Sequence, residues 1–407
     1  MSSSADQTSA SLKPAKNGGM HVVHIIEALG PGGAERLLHT NLKHFDRSRV
    51  RSTVFTVYPH ATHWREPIEE LGVEVVSLNC ESPRQLPAAI KKFQAWLRTN
   101  RPDLIHSHLW AANVVARVAG RLTRVPVVSS IHNPDHEAET WADGAAVSTR
   151  KRLAAKTIDR WTARFGNQRL IAVSDYVKHS AHRHLKFALN DIDLVYNPID
   201  IDLLSQPPTM SRAEILRESG LPADALMLLN VARVSPQKGL IYAVRAMPRI
   251  LEQFPNAHLV SVGATTDPLW LEELTREAQS TGVAEHVHIL GTRRDVQDFL
   301  AACDLFIFPS LYEGLGIALI EAMAAGCACV ASNAGPIPEI VEHDRDGVLV
   351  RPADQGALAD AVCRLLGDAD YRKRISDAAR VTARERFQPQ KAAEQLTRIY
   401  EDIVFKR

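Results

Sequence analysis

The sequence predicts an α/β protein of two doubly wound domains that face each other across a cleft. Three observations predict it. Short apolar runs alternate with longer amphipathic ones from Met20 onward, the alternation breaks once in a proline-rich stretch near residue 200, and it then restarts. At 407 residues the chain can hold two cores of ordinary size.

The elements follow in order. The first 19 residues, MSSSADQTSASLKPAKNGG, are small and polar and are expected to form a disordered tail. The first domain, residues 20–200, opens on HVVHIIEAL, an apolar run read as a buried strand. STVFTVY, VEVVSL, DLIHSH, PVVSSIH, RLIAVS and DLVYNP read as further strands, with helical stretches such as LPAAIKKFQAWLRTN between them. NPIDIDLLSQPPTM, with Pro198, Pro207 and Pro208, reads as the linker. The second domain, residues 201–385, repeats the rhythm with LMLLNVARV, HLVSVG, HVHILG, DLFIFPS, CACVAS and GVLVRP. Residues 386–407 hold an amphipathic helix with Leu396, Ile399, Tyr400 and Ile403 on one face, expected to pack back toward the first domain.

Composition excludes several classes. Apolar residues make up 45% and charged residues 23%, with a net charge of +1, so nucleic acid is not an expected partner. The five cysteines are odd in number and lack ligand spacing; Cys327 and Cys329 alternate along a strand as small core side chains. This suits a reducing, cytoplasmic compartment. There is no apolar run of membrane-spanning length and no signal peptide.

The chemistry concentrates in FPSLYEGLGIALIEAMAAGCACVAS, residues 308–332. A strand ends at Pro309, LYEGLG is the loop at its carboxyl end, and IALIEAMAA is a helix with Gly326 placed for its C-terminal cap. Gly314 and Gly316 therefore lie at a helix N-terminus, where free amides favour an anion or sugar hydroxyls. Glu313 projects from the loop, and Glu321 sits in the helix, where a buried carboxylate needs a partner. In VARVSPQKGL, Arg233 and Lys238 fall in a strand-to-helix loop beside a glycine, as a clamp for a diphosphate.

Glu313 and Glu321 enclose seven residues. With ARVSPQKG, ILGTRRDVQDFLAACDLFIFPS and AGPIPEIVEHDRDGVLV, the pattern resembles the retaining GT-B glycosyltransferases of family GT4, also called glycosyl transferases group 1. That group includes bacterial sucrose-phosphate synthases and phosphatidylinositol mannosyltransferases. The resemblance covers nearly the whole chain after residue 20 and is strongest in the second half. It implies the GT-B fold, two Rossmann-like domains facing across a cleft. It also implies a nucleotide-sugar co-substrate with no other cofactor and no metal. Arg233 and Lys238 would bind the donor diphosphate, Glu313 the sugar hydroxyls, and Glu321 the ribose. Gly314, Leu315 and Gly316 would offer main-chain amides. Gly263, Arg293 and Asp295 either border the base or are loop and turn residues. Glu339 is expected to be structural.

In the first half, EALGPGGAERLL places Gly32 and Gly33 at the start of a helix, open to close approach by a ligand. This is not G-x-G-x-x-G, so a dinucleotide is not expected. The resemblance points to Gly33 for the donor and to Gly32 for the acceptor pocket. Glu35 and Arg36 are read either as site neighbours or as helix surface. DLIHSHLWAAN and SSIHNPDH set His106, His108 and His132 at strand ends. No carboxylate spacing accompanies them, so zinc is not favoured. His132 matches the family's cleft histidine, His108 shapes the acceptor pocket, and His106 reads as an oriented core histidine.

From Arg150 to Lys186 there are ten Lys/Arg residues against Asp159 and Asp175, with Trp141, Trp161 and Phe165 nearby. That segment is either a solvated helix face or a surface for anionic membrane, which would suit a lipid-linked acceptor. The expected reaction is transfer of a sugar from a nucleotide-sugar (a UDP-sugar first, GDP-mannose second) to an acceptor hydroxyl with retention. A sugar-nucleotide epimerase and a non-catalytic nucleotide-sugar-binding subunit are the alternative readings.

Overall fold

The computed structural model describes residues 19–137, 149–166, 169–265 and 267–405. Two parallel sheets account for all thirteen strands the sequence predicts. The first contains β1 (Met20–Ile26), β2 (Val50–Thr56), β3 (Glu74–Ser77), β4 (Leu104–His108), β5 (Val127–Ile131), β6 (Arg169–Ala172) and β7 (Ile192–Leu194). The second contains β8 (Leu226–Val231), β9 (Ala257–Val262), β10 (Val287–Ile289), β11 (Leu305–Phe308), β12 (Cys329–Ser332) and β13 (Val348–Val350). The orders are β3-β2-β1-β4-β5-β6-β7 and β10-β9-β8-β11-β12-β13.

These strands read as unbroken apolar runs because both faces of each sheet are covered by helices. Val22 and Ile26 belong to one apolar cluster of the first domain, and Val23 and Ile25 to another; all four have no exposed surface. The strand orders reverse direction between β1 and β4 and between β8 and β11. At such switch points the following loops diverge to opposite faces and leave a crevice at the carboxyl ends. The positions that matter for function follow from those four strand ends.

The chain crosses between the domains twice, and the crossings are joined where Ile199 N–H donates to Phe387 O at 3.1 Å. One apolar cluster spans both domains, from Val177 and Ile199 to Leu315, Ile337 and Phe387. The last helix, Pro389–Phe405, lies on the first domain. Its Ala392, Leu396, Tyr400 and Ile403 pack with Met20, Val22 and Phe45. Arg49 ties it down through Glu394 at 2.7 Å and Glu401 at 2.8 Å. The predicted tail and Trp141 lie outside the described residues, apart from Gly19.

Candidate active site in the interdomain cleft

The second domain supplies two loops that flank its switch point. After β8, Pro236–Lys238 forms a single 3-10 turn that delivers Lys238 to the cleft side. After β11, Pro309 to Gly316 leads into the helix Ile317–Ala325. The loops are bonded to each other: Leu311 N–H donates to Gln237 O at 2.8 Å, and Gln237 Nε2 donates to Tyr312 O at 3.0 Å. Gly239 makes this approach possible, since it holds φ +63° and a Cβ there would meet Pro309 O at 2.1 Å.

This packing brings Lys238 Nζ to 2.7 Å from Glu313 Oε1, with side chains only 16% and 8% exposed. The pair stands beside Leu315, which is buried, and beside Gly316, which opens the helix Ile317–Ala325 at φ +108°. The first amides of that helix have no intrahelical acceptor, so cation, carboxylate and open N–H groups converge on one spot. Arg233 leaves the same β8 loop, is exposed, and makes no ion pair among the described residues.

The first domain faces this spot with histidines. His108 ends β4 and His132 follows β5, and their rings are joined Nδ1 to Nε2 at 3.2 Å. Behind them His106 Nδ1 bonds Tyr400 OH at 2.6 Å and its Nε2 bonds Ser130 Oγ at 2.7 Å, so both ring nitrogens are engaged. His106 is thus the oriented core histidine of the sequence reading. His24, not singled out from the sequence, pairs with His106 in the β1–β4 register and joins the cluster. One nitrogen from each of His24, His106 and His108 falls within 4.8 Å of the others. Coordinating an ion through His106 would break one of its two hydrogen bonds, to Tyr400 or to Ser130.

The domains meet where the histidines reach the loop. A Cβ on Gly314 would lie 1.8 Å from His132 O and 3.1 Å from Asn133 Oδ1, so only glycine permits this backbone contact. Ser174 Oγ donates to Gly314 O at 2.7 Å while capping its own helix, Asp175–Leu185. Glu339 accepts from the N–H groups of Asp175 at 2.7 Å and Tyr176 at 2.8 Å, and from Tyr196 OH at 3.1 Å. A carboxylate on a helix N-terminus is electrostatically favoured. Glu339 is therefore a structural brace between domains, and with Ser174 it marks a contact that single-strand patterning cannot reveal.

Gly32 caps and Gly33 opens the helix Gly33–His44 after β1, and a Cβ on Gly33 would come 3.5 Å from Ile317 Cδ1. From this helix Arg36 crosses to Glu321, Nη1 to Oε1 at 2.6 Å. Of the two readings of Arg36, the site neighbour is the one the geometry takes. Burial pushes the Glu321 carboxyl up, and the Arg36 guanidinium opposes that shift.

Two residues behave differently. Arg293 donates from Nε to Asp295 at 2.8 Å and pairs with Glu218 at 3.1 Å, which raises its pKa and fixes it as a loop anchor. Gly263, at φ +155°, packs so that a Cβ would meet Ala232 O at 1.9 Å; it shapes the β8 loop that carries Arg233. Beneath His132, a cavity of about 30 Å³ is lined by Asp135, His136 and Asp159. Fully buried Arg117 reaches Asp159 at 2.5 Å, and His136 reaches it at 2.8 Å, joining the His132 loop to the helix Thr149–Gly166. None of Arg117, His136 and Asp159 was singled out for this role from the sequence.

Burial holds the cleft histidines neutral: His132 is lowered to about 4 and His24 to about 3, and His106 and His108 are also well below the ordinary value. The unfolded chain, with histidines near 6.5, then binds more protons than the folded one in mild acid. Their stabilising contribution is full above pH ~6.5 and is lost as pH falls toward about 4. Thermal melts should show a fall in melting temperature across that window, with each such histidine contributing on the order of 1 kcal/mol per pH unit. A flat profile from pH 7 to 5 would contradict the assignment.

Comparison with known proteins agrees with this architecture. Residues 31–203 match the model named Glycosyltransferase Family 4, and residues 211–382 match Glycosyl transferases group 1. The chain is 30% identical over 318 residues to the alpha-maltose-1-phosphate synthase of Mycolicibacterium smegmatis, covering 74% of this chain and 79% of that one. It is 27% identical over 280 residues to the UDP-Gal:alpha-D-GlcNAc-diphosphoundecaprenol alpha-1,3-galactosyltransferase of Escherichia coli, covering 67% and 68%. In fold it is similar to Anabaena HepE, solved in complex with UDP-glucose, with a TM-score of 0.81 at 23% identity over 94% of this chain and 100% of that one. With both halves matched and the two-sheet architecture in place, the chain belongs to glycosyltransferase family 4 and has the GT-B fold.

Proposed function

We propose that the protein transfers a sugar from a UDP-sugar to an acceptor hydroxyl with retention of anomeric configuration. The observation that carries this reading is the Lys238–Glu313 pair set against the open N-terminus of the helix Ile317–Ala325. That arrangement offers positive charge and N–H groups to a leaving diphosphate, and a carboxylate to sugar hydroxyls. A neighbour solved with UDP-glucose and a relative named for a UDP-Gal donor favour uridine over guanosine, which stays second.

In this mechanism Arg233 and Lys238 neutralise the departing diphosphate, so the reaction uses no cofactor and no metal ion. Glu313 is paired with Lys238 and Glu321 with Arg36, and the proposed route uses neither carboxylate as a nucleophile. Attack comes from the leaving-group face. The acceptor oxygen bonds to the anomeric carbon, the bond to the diphosphate oxygen breaks, and that oxygen takes the acceptor proton. Gly314 and His132, in contact across the cleft, exclude water from the donor. His108 and Gly32 border the acceptor side. The acceptor is a lipid-linked or polysaccharide-precursor saccharide, reached from the cytoplasmic face of a membrane.

The test is release of nucleoside diphosphate from a panel of UDP-sugars and GDP-mannose, with and without hydroxyl acceptors, followed by NMR of the product linkage. Donor conversion without any acceptor would favour the epimerase reading. No turnover with any pair would leave a binding subunit. Glu321→Gln should raise the dissociation constant for UDP roughly tenfold, as for loss of a charge-assisted hydrogen bond. Calorimetry showing unchanged affinity removes Glu321 from the nucleotide site.

A further inference from the structure

We propose that the exposed face of the helix Thr149–Gly166 docks the protein on an anionic lipid bilayer. Of the eight large apolar side chains exposed among the described residues, four are on this helix: Leu153, Ile158, Trp161 and Phe165. Trp161 and Phe165 are 62% and 58% exposed, and their rings pack at 5.1 Å, forming one apolar ridge. A fifth, Leu122, is 56% exposed on the adjoining helix Trp110–Thr123. Arg117 of that helix meets Asp159, Thr162 and Gly166, which sets the two helices side by side and brings the Leu122 end toward the Phe165 end.

Among the described residues, the exposed charges of this helix have one sign. Arg150, Lys151, Arg160 and Arg164 are exposed, and none makes an ion pair among the described residues. The helix's single acid, Asp159, is buried against Arg117 and His136 and contributes nothing to the outer face. Farther along the basic segment Arg169 pairs with Asp193 and Arg183 with Glu137, and within the helix itself Lys156 Nζ meets His184 Nδ1 at 2.9 Å. Among the described residues, this helix face sets cations that make no ion pair beside two exposed aromatic rings. Apolar rings set among cations match the interface of an anionic bilayer, where rings sit at headgroup depth and cations meet phosphates. A protein partner of mixed charge would leave those cations unanswered.

The face is joined to the cleft, since His136–Asp159 links the helix to the loop carrying His132. Docking here would hold the cleft beside the surface from which a lipid-linked acceptor emerges; that consequence rests on the transferase reading, whereas the docking itself does not. The experiment is co-sedimentation of the full chain with phosphatidylcholine vesicles and with phosphatidylcholine–phosphatidylglycerol vesicles, at low and high salt. Binding is expected only to the anionic vesicles, and it should weaken with salt. Trp161→Ser/Phe165→Ser and, separately, Arg160→Glu/Arg164→Glu should each lower it by roughly tenfold or more, with unchanged melting temperature and unchanged turnover on a water-soluble acceptor. No binding at low salt overturns the proposal. So does binding that both variants retain. Loss of self-association in the variants, without vesicle binding by the parent, would assign the face to a second copy instead and equally overturn it.

Discussion

Lys238→Ala is expected to lower turnover by about 10²–10³-fold, the scale for removing one preorganised group that stabilises developing charge. The structure adds a complication to this substitution. Lys238 also neutralises Glu313, whose side chain is 8% exposed, and removing one partner of a buried pair costs about 3–5 kcal/mol. The single variant therefore should melt earlier as well as turn over more slowly. The double variant Lys238→Ala/Glu313→Gln separates the two effects, because it leaves no unpaired buried charge. Its melting temperature should recover while its turnover stays well below that of the single variant Glu313→Gln, which carries the loss due to the carboxylate alone. If the double variant turned over as fast as Glu313→Gln, Lys238 would be a structural partner of Glu313 and no part of a diphosphate clamp.

Gly314→Ala is expected to lower kcat/KM by about 100-fold or more, since displacements near 1 Å at a reacting centre have that cost. The new methyl would meet the His132 carbonyl, with backbone on both sides of the contact, so neither can yield cheaply. The domains must part, breaking the bond from Ser174 Oγ to Gly314 O. Because the clash is between domains, each domain core stays whole and the far-ultraviolet circular dichroism should not change. Gly367→Ala is the control: a Cβ there would have ordinary contact with Phe254 at 3.9 Å, and kinetics should match the parent. Parent-like kinetics for Gly314→Ala would show that catalysis does not require this approach.

Much of the molecule was legible in its pattern. β1, β4 and β8 appear where apolar runs stand, because strands covered on both faces leave no alternation to misread. Lys238, Glu313 and Gly316 were legible as candidate residues because each lies in a strand-to-helix loop, and such loops open at the carboxyl edge of the sheet. Arg293 looked equivalent by the same rule, yet Asp295 and Glu218 hold it as an anchor. Position on a loop does not say which neighbour a side chain finds first.

The sequence by itself determined local order: thirteen strands, two sheets, and the loops that approach the cleft. Helix and strand periodicity and loop position are properties of neighbouring residues, so they survive in the linear text. The tertiary structure alone decided the pairs that cross between the domains, Arg36 with Glu321, Ser174 with Gly314 and Glu339 with the helix at Asp175, and the contact of Tyr400 with His106 where the last helix returns to the first domain. Tyr400 and His106 are separated by 294 positions, and no periodicity relates them. Their meeting depends on how the returning last helix is seated on the first domain, where Tyr400 shares an apolar cluster with Met20, Val22 and Phe45. That seating is set by packing and desolvation of whole surfaces, which no single segment encodes.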